Sequence, residues 1–69
     1  MNIFLITNYL NDTRYEGDEN YIGYVSSYDD AFSYIQSNLH IVRSGINPDH
    51  AFWFSDDDQT YLIREIYKL

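Results

Sequence analysis

The stretch that decides the fold is SYDDAFSYIQSNLHIVR, residues 27–43, which lies between two runs of strand-forming residues. Its first four residues have capping-box spacing: the Ser27 hydroxyl can accept a hydrogen bond from the Asp30 amide, and the Asp30 carboxylate can reach the Ser27 amide. A helix is therefore predicted to begin at Tyr28. The apolar residues that follow recur every three or four positions and form one stripe that can pack on a sheet. They are Tyr28, Ala31, Phe32, Ile35, Leu39 and Val42.

The end of this helix is predicted from its charges and from the glycine beyond it. Arg43 lies where a cation is favourable near a helix C terminus, and Gly45 follows as a residue that accepts the left-handed conformation common at helix ends. Asn-Pro-Asp-His at 47–50 is turn chemistry that stops any continuation. We therefore expect the helix to span Tyr28 to Arg43.

Strand chemistry lies on both sides of the helix. Ile3 to Leu10 is apolar on both alternating faces, which predicts a central strand, and Gly23 within the next run indicates a bulge or a close backbone contact. The predicted strands are 3–10, 21–25, 51–55 and 60–69, and the first two are expected to form a hairpin. The predicted fold class is α+β: one domain, residues 1–69, with a small antiparallel sheet, one helix packed on one face, and the order β-β-α-β-β.

The sheet face away from the helix is expected to carry aromatic area. Phe4, Tyr24, Phe52 and Phe54, or their alternates along the same strands, are the candidates for it. Aromatic residues make up 19% of the chain, so even a small sheet can fill a core and still expose such a face. An exposed apolar face favours self-association or a partner surface.

Charge is the strongest compositional feature. Eleven Asp and Glu residues against four Lys and Arg give a net charge of −7. Because nucleic-acid binding requires neutralisation of phosphates by Lys and Arg, direct binding to nucleic acid is disfavoured, and so is an anionic membrane surface. A protein partner with a basic surface is what such a field attracts.

No residue pattern predicts catalysis or a cofactor. The chain has no cysteine, which excludes disulfides, thiolate zinc sites and cysteine nucleophiles. His40 and His50 lie in no catalytic motif, and no pair of carboxylates is singled out for acid and base chemistry. The run Asp56-Asp57-Asp58 lacks the alternating acids and the glycine of a calcium loop, so a solvated hairpin turn is favoured over a metal site. We expect no enzyme activity, no cofactor and no metal.

Two groups of acids have no clear structural role, and we predict that they contact the partner. One group lies in the loop 11–20, which is longer than a hairpin requires and so favours a binding role. The other is the aspartate run, and Tyr15 suits an interface because it is amphipathic. The predicted partner-binding residues are Asp12, Tyr15, Glu16, Asp18, Glu19, Asp56, Asp57, Asp58 and Trp53. The alternative, that these acids only keep an aromatic-rich chain in solution, has equal weight.

The first residues, Met-Asn-Ile-Phe-Leu-Ile-Thr-Asn, bear on location. This apolar stretch is too short for a membrane span, and it lacks the basic residue and the cleavage site of a signal peptide. We expect a cytoplasmic protein with no membrane partner.

In size, charge and element order the chain resembles small phage-encoded inhibitors of bacterial defence, including anti-CRISPR proteins and DNA mimics. The resemblance implies an inhibitor that presents carboxylates where a nucleic acid presents phosphates. Such an inhibitor docks in the basic groove of a DNA- or RNA-handling protein, for example a nuclease or a CRISPR effector, in the host cytoplasm. The resemblance transfers no functional residue.

Two alternatives remain open at the level of sequence. In the first, the chain is a non-enzymatic homo-oligomeric adaptor or regulatory module, for example a homodimer, and its aromatic sheet face, including Trp53 or Phe54, makes the contact. In the second, Asp56 to Asp58 form a weak cation or hydrolytic site together with acids of the long loop.

Overall fold

In the part of the chain that the structure describes, five strands form one antiparallel sheet, and a helix packs across one of its faces. The computed structural model describes residues 2–11 and 19–67. Its elements are β1 (Asn2–Leu10), β2 (Asn20–Val25), α1 (Tyr28–Asn38), β3 (Arg43–Ile46), β4 (Phe52–Ser55) and β5 (Gln59–Tyr67). The strand order in the sheet is β2-β1-β5-β4-β3, so β5 lies at the centre between β1 and β4, and β2 and β3 lie at the edges.

The predicted fold class, α+β with the order β-β-α-β-β, is wrong. The order is β-β-α-β-β-β, and the described chain is mostly sheet, with 54% strand and 19% helix. The missed element is β3, Arg43–Ile46, where the predicted helix had its last residue, Arg43, and its cap, Gly45. The prediction that the first strand lies inside the sheet rather than at an edge, and that it forms a hairpin with the second strand, is confirmed.

The start of the helix is confirmed, and its end is earlier than predicted. Ser27 is the N-cap, and its Oγ accepts a hydrogen bond from the Asp30 amide at 3.1 Å. The helix ends at Asn38, because Leu39 is already extended with φ −145° and ψ 130°. Asn38 Nδ2 also donates to the Tyr34 carbonyl at 2.7 Å, so the last side chain of the helix bonds back to the preceding turn.

The residues after the helix join the sheet rather than continue the helical stripe. Val42 N donates to Ser55 O at 2.8 Å, and Arg43 then pairs with Ser55 as the first residue of β3. Ile41 and Val42 are β-branched, which favours extended chain over helix. The prediction that the helix continues to Arg43 is therefore wrong. Leu39 and Val42 have the spacing of a helix, but pairing with β4 decides the conformation of this segment.

The first hairpin contains the irregularity that Gly23 indicated. Ile6 lies opposite Gly23, but Thr7 lies opposite Tyr21, so β2 has one extra residue at this point. Such a bulge reverses the side-chain alternation of the strand on either side of it. As a result Tyr21 and Tyr24, three residues apart, lie opposite Thr7 and Leu5 on the same face of the sheet.

The core lies between the helix and one face of the sheet. Ile35 and Ala31 of the helix are fully buried, as is Ile63 at the centre of β5. These residues share one cluster, and the other buried members are Ile6, Leu39, Phe54 and Tyr61. At the N terminus of the helix the Tyr28 ring packs edge-on against Phe4 and Phe52, with centroids 6.4 and 5.1 Å away.

The aromatic face was predicted on the wrong side for three of its four residues. Phe4 and Phe52 contact Tyr28, and Phe54 contacts Phe32, so all three lie beneath the helix. Only Tyr24 lies on the opposite face, which we call the second face, and it is 62% exposed. The alternation of side chains allowed either assignment, and the position of the helix decides it.

The second face contains one close approach of a ring to the backbone. Trp53 of β4 pairs with Gly45 of β3. A Cβ atom added at Gly45 would lie 2.8 Å from Cζ2 and Nε1 of Trp53, so the ring lies directly over the glycine. This contact explains why glycine occupies a strand position.

Gly45→Ala is therefore expected to lower the free energy of unfolding by about 1–3 kcal/mol, because the added methyl group must displace the indole ring. Ser44→Ala, at the exposed neighbouring position, serves as the control. The measurement is urea unfolding followed by far-UV circular dichroism, with Trp53 fluorescence as a second signal in the proteins that keep the indole. In a Trp53→Leu background the cost of Gly45→Ala should fall to near zero. An equal cost in both backgrounds would contradict the contact.

Candidate protein-binding surface

Asp56 is a structural residue of the turn that joins β4 to β5. Its Oδ1 accepts hydrogen bonds from the amides of Asp58 at 2.7 Å and Gln59 at 2.8 Å, and its own amide donates to Gln59 O at 3.0 Å. These amides favour the ionised carboxylate and hold the pKa of Asp56 below its usual value. The predicted hairpin turn is confirmed, and we call residues 56–58 the acidic turn.

The other two aspartates of the acidic turn project into solvent. The Asp57 side chain is 89% exposed, and its Oδ1 lies 3.9 Å from Arg43 Nη2. Asp58 is also exposed. An ion pair at that distance between exposed groups contributes little, so Asp57 retains most of its field. Asp56 therefore stabilises the turn, whereas the side chains of Asp57 and Asp58 are exposed at its surface.

The long loop starts against the acidic turn. Asn11 N donates to Asp58 O at 2.9 Å, and Asn11 Nδ2 donates to Asp56 O, also at 2.9 Å. Thr60 Oγ1 donates to Asn11 Oδ1 at 2.6 Å. These bonds place the first residue of the loop beside the second predicted acidic group. The predicted binding residues Asp12, Tyr15, Glu16 and Asp18 lie outside the described residues.

Glu19, at the other end of that loop, is engaged in a network on the second face. Arg64 Nη1 and Nη2 donate to the two carboxylate oxygens of Glu19 at 2.6 and 3.0 Å, and Thr7 Oγ1 donates to Glu19 Oε2 at 3.0 Å. The hydrogen bonds from Arg64, with a smaller contribution from Thr7, lower the pKa of Glu19. Glu19 therefore links the start of β2 to β5 across β1, a structural role that the sequence did not indicate.

The exposed aromatic area of the second face lies on β2. Tyr21 and Tyr24 are 63% and 62% exposed, beside the half-buried Leu5. The centre of this face is closed, since Leu62 between Thr7 and Trp53 is only 2% exposed. Trp53 itself is half-buried on Gly45, so it is a weaker contact candidate than the two tyrosines. Gly23 was the sequence signal for this pair, because the bulge beside it puts both rings on one face.

The predicted site is thus divided among separate places. Asp56, Asp57 and Asp58 lie together with Asn11, whereas Glu19 and Trp53 lie on the second face in different networks. Within residues 2–11 and 19–67, no three His, Cys, Asp or Glu side chains cluster as metal ligands. The helix that the structure describes is not long and apolar enough to cross a membrane.

Comparison with known proteins does not extend this description. No protein-family model matches the chain, and comparisons with curated proteins and with solved structures find no match either.

Glu19→Gln is expected to lower the free energy of unfolding by about 1 kcal/mol near neutral pH, since both side chains of the ion pair are partly screened by solvent. Because the pKa of Glu19 is lowered on folding, the contribution is complete above the unfolded-state pKa and is lost as pH falls through the folded-state pKa. The measurement is urea unfolding of the unmodified chain and of Glu19→Gln, each near pH 7 and near pH 3.

The control for this comparison is Asp57→Asn, which removes the same charge from an exposed position. Its effect on the free energy of unfolding should be small at both pH values. If the cost of Glu19→Gln were the same near pH 3 as near pH 7, the ion pair with Arg64 would not be its cause.

Proposed function

We propose that this chain is a non-enzymatic inhibitor whose acidic surface docks on a basic protein surface of the kind that binds nucleic acid. The observation that carries the proposal is the distribution of charge. Arg43 and Arg64, the arginines that the structure describes, each lie within 4 Å of a carboxylate, at 3.9 Å from Asp57 and 2.6 Å from Glu19. Within residues 2–11 and 19–67, eight Asp and Glu residues outnumber these two arginines, and seven of the eight acids are exposed.

The acidic turn suits such docking because it is held rigidly. The amides of Asp58 and Gln59 bond Asp56, and Asn11 bonds the turn from the side. A surface that is ordered before binding loses less conformational entropy when the partner arrives. Carboxylates presented in this way repel nucleic acid and attract the Lys and Arg residues that bind phosphates.

The partner class follows from the same charge argument. A nuclease or CRISPR effector has a basic groove, and the cytoplasm of a host cell is where an anti-defence inhibitor encounters one. Small size and net charge support this version of the proposal. Element order does not, because the order differs from the one on which the resemblance was based.

The test neutralises charge at two places. Asp57→Asn with Asp58→Asn removes two charges and keeps Asp56, which holds the turn. The control, Asp29→Asn with Asp30→Asn, removes two exposed charges from the first turn of the helix. This turn packs over the start of β4, whereas the acidic turn follows the end of β4. Both variants change the net charge equally, so a difference between them reports position.

We expect the tagged chain to retain a basic nucleic-acid enzyme from host lysate at low salt, less at high salt, and to displace nucleic acid from that enzyme once it is purified. The acidic-turn variant should bind the purified enzyme at least about tenfold more weakly than the helix control. Binding that is unchanged by neutralising both places would rule out the proposal.

A second candidate function, a homodimeric adaptor, is favoured by one observation. Tyr21 and Tyr24 form an exposed aromatic pair on the second face, and tyrosine is enriched at protein interfaces. Phe54, which the sequence analysis placed in this interface, is buried beneath the helix and cannot contribute directly.

This candidate predicts self-association that increases with concentration and changes little with salt. Tyr21→Ser with Tyr24→Ser should abolish it in sedimentation experiments. Tyr67→Ser is the control, because Tyr67 is 70% exposed but lies opposite Asn2 on the other face of the sheet. A chain that is monomeric throughout the micromolar range excludes the homodimer.

A further inference from the structure

The central strand β5 continues past the strand beside it. β1 pairs with β5 along its whole length, from Gln59 to Tyr67. β4 pairs only with the part from Thr60 to Ile63. On the β4 side, residues 64–67 therefore have no strand partner among the described residues, although they belong to a strand at the centre of the sheet.

The direction of the backbone groups on this segment follows from the turn. Asp56 N donates to Gln59 O at 3.0 Å, so Gln59 directs its backbone groups toward β4. Hydrogen-bonded residues alternate along an antiparallel strand, so Tyr61, Ile63, Glu65 and Tyr67 face the same way. The bond from Asn11 N to Asp58 O on the other side, at 2.9 Å, gives the same alternation independently. The amides and carbonyls of Glu65 and Tyr67 thus point to the side where β4 has ended.

A groove lies on this side because the chain before β4 turns away. His50 has a positive φ of 68°, and His50 N and Asn47 N donate to Asn47 O and Ala51 O, each at 2.8 Å. Because of this turn, pairing with β5 begins only at Phe52 and does not include the residue before it. Between it and β5 is a cavity of about 480 Å³, a volume usual for ligand sites.

The lining of the groove specifies the chemistry of an occupant. Ile46 and Ile66 are exposed apolar side chains at the groove, and Asp49 and Glu65 contribute carboxylates. Arg64 also lines it, but this cation is already bonded to Glu19 and lies 3.9 Å from Asp49. The groove therefore combines unpaired strand backbone, apolar contacts and a net negative charge.

We infer that an extended basic segment of a partner protein adds to the sheet as a strand along Glu65 and Tyr67. Main-chain hydrogen bonds to β5 hold the segment, and its alternating side chains meet the apolar and the acidic parts of the groove. Asp49 and Glu65 select Lys or Arg over acidic residues. This groove is distinct from the acidic turn, so either surface can fail in experiment while the other stands.

The probe for this site is a short peptide of alternating lysine and valine, acetylated and amidated at its ends. Titration into the labelled chain should shift the backbone amide signals of Glu65 and Tyr67 and slow their hydrogen exchange. The same peptide with alternate backbone nitrogens methylated keeps its charge but cannot pair as a strand on that side. It should bind at least about tenfold more weakly.

Two substitutions at one position isolate the backbone donor. Glu65→Pro removes the amide that faces the groove and leaves the ladder with β1, which uses the alternate residues. Glu65→Gln removes the same charge and keeps the amide. We expect the peptide to bind Glu65→Pro at least about tenfold more weakly than Glu65→Gln.

The peptide comparison on the unmodified chain decides the question if Glu65→Pro does not fold. Equal binding of the methylated peptide, or amide shifts confined to the acidic turn or to the outer edges of β2 and β3, would overturn the inference. A dimer of the chain that Glu65→Pro disrupts would also overturn it, since a second copy would then occupy the edge.

Discussion

The antiparallel ladder between β1 and β5 is the constraint on which the rest of the structure depends. It runs the full length of both strands and pairs Asn2 with Tyr67 and Leu10 with Gln59. β2 pairs with β1, β4 pairs with β5 and carries β3 on its other side, and the helix packs over Ile6 and Ile63 at the centre of the ladder. β1 and β5 lie at opposite ends of the described chain. Their pairing therefore closes a loop that contains most of the chain, and closing this loop costs conformational entropy.

Polar links on the second face reinforce this ladder where the helix does not reach. Arg64 of β5 and Thr7 of β1 both bond Glu19, so one carboxylate ties together the three strands on that side of the sheet. On the other side the Trp53 ring covers Gly45 and fastens the short edge strand β3. A small chain without disulfides has only a small hydrophobic core, so such surface links matter to its stability. They also explain why Glu19 and Trp53 are less available to a partner than the sequence indicated.

Local rules predicted the parts of the fold that depend on neighbouring residues. The cap at Ser27, the bulge beside Gly23 and the turn at Asp56 each follow from one side chain or one backbone preference, and each is present. The prediction failed where distant pairing competes with local preference. The residues after Leu39 continue a helical spacing, but the hydrogen bond from Val42 to Ser55 draws them into the sheet. The candidate site divides in the same way, since exposed acids in a turn can be read locally whereas an ion pair between Glu19 and Arg64 cannot.

The sequence by itself determined the charge of this protein, the absence of thiol chemistry, the start of its helix and the chemistry of its turns, because these properties belong to single residues or to neighbours in the chain. The tertiary structure alone decided which face of the sheet the helix covers, which acids are neutralised, and where β4 ends beside β5. These outcomes depend on register between strands that are distant in sequence, and a strand with apolar residues on both faces is compatible with either side. The groove beside Glu65 is the clearest case, since it exists only because two paired strands have different lengths.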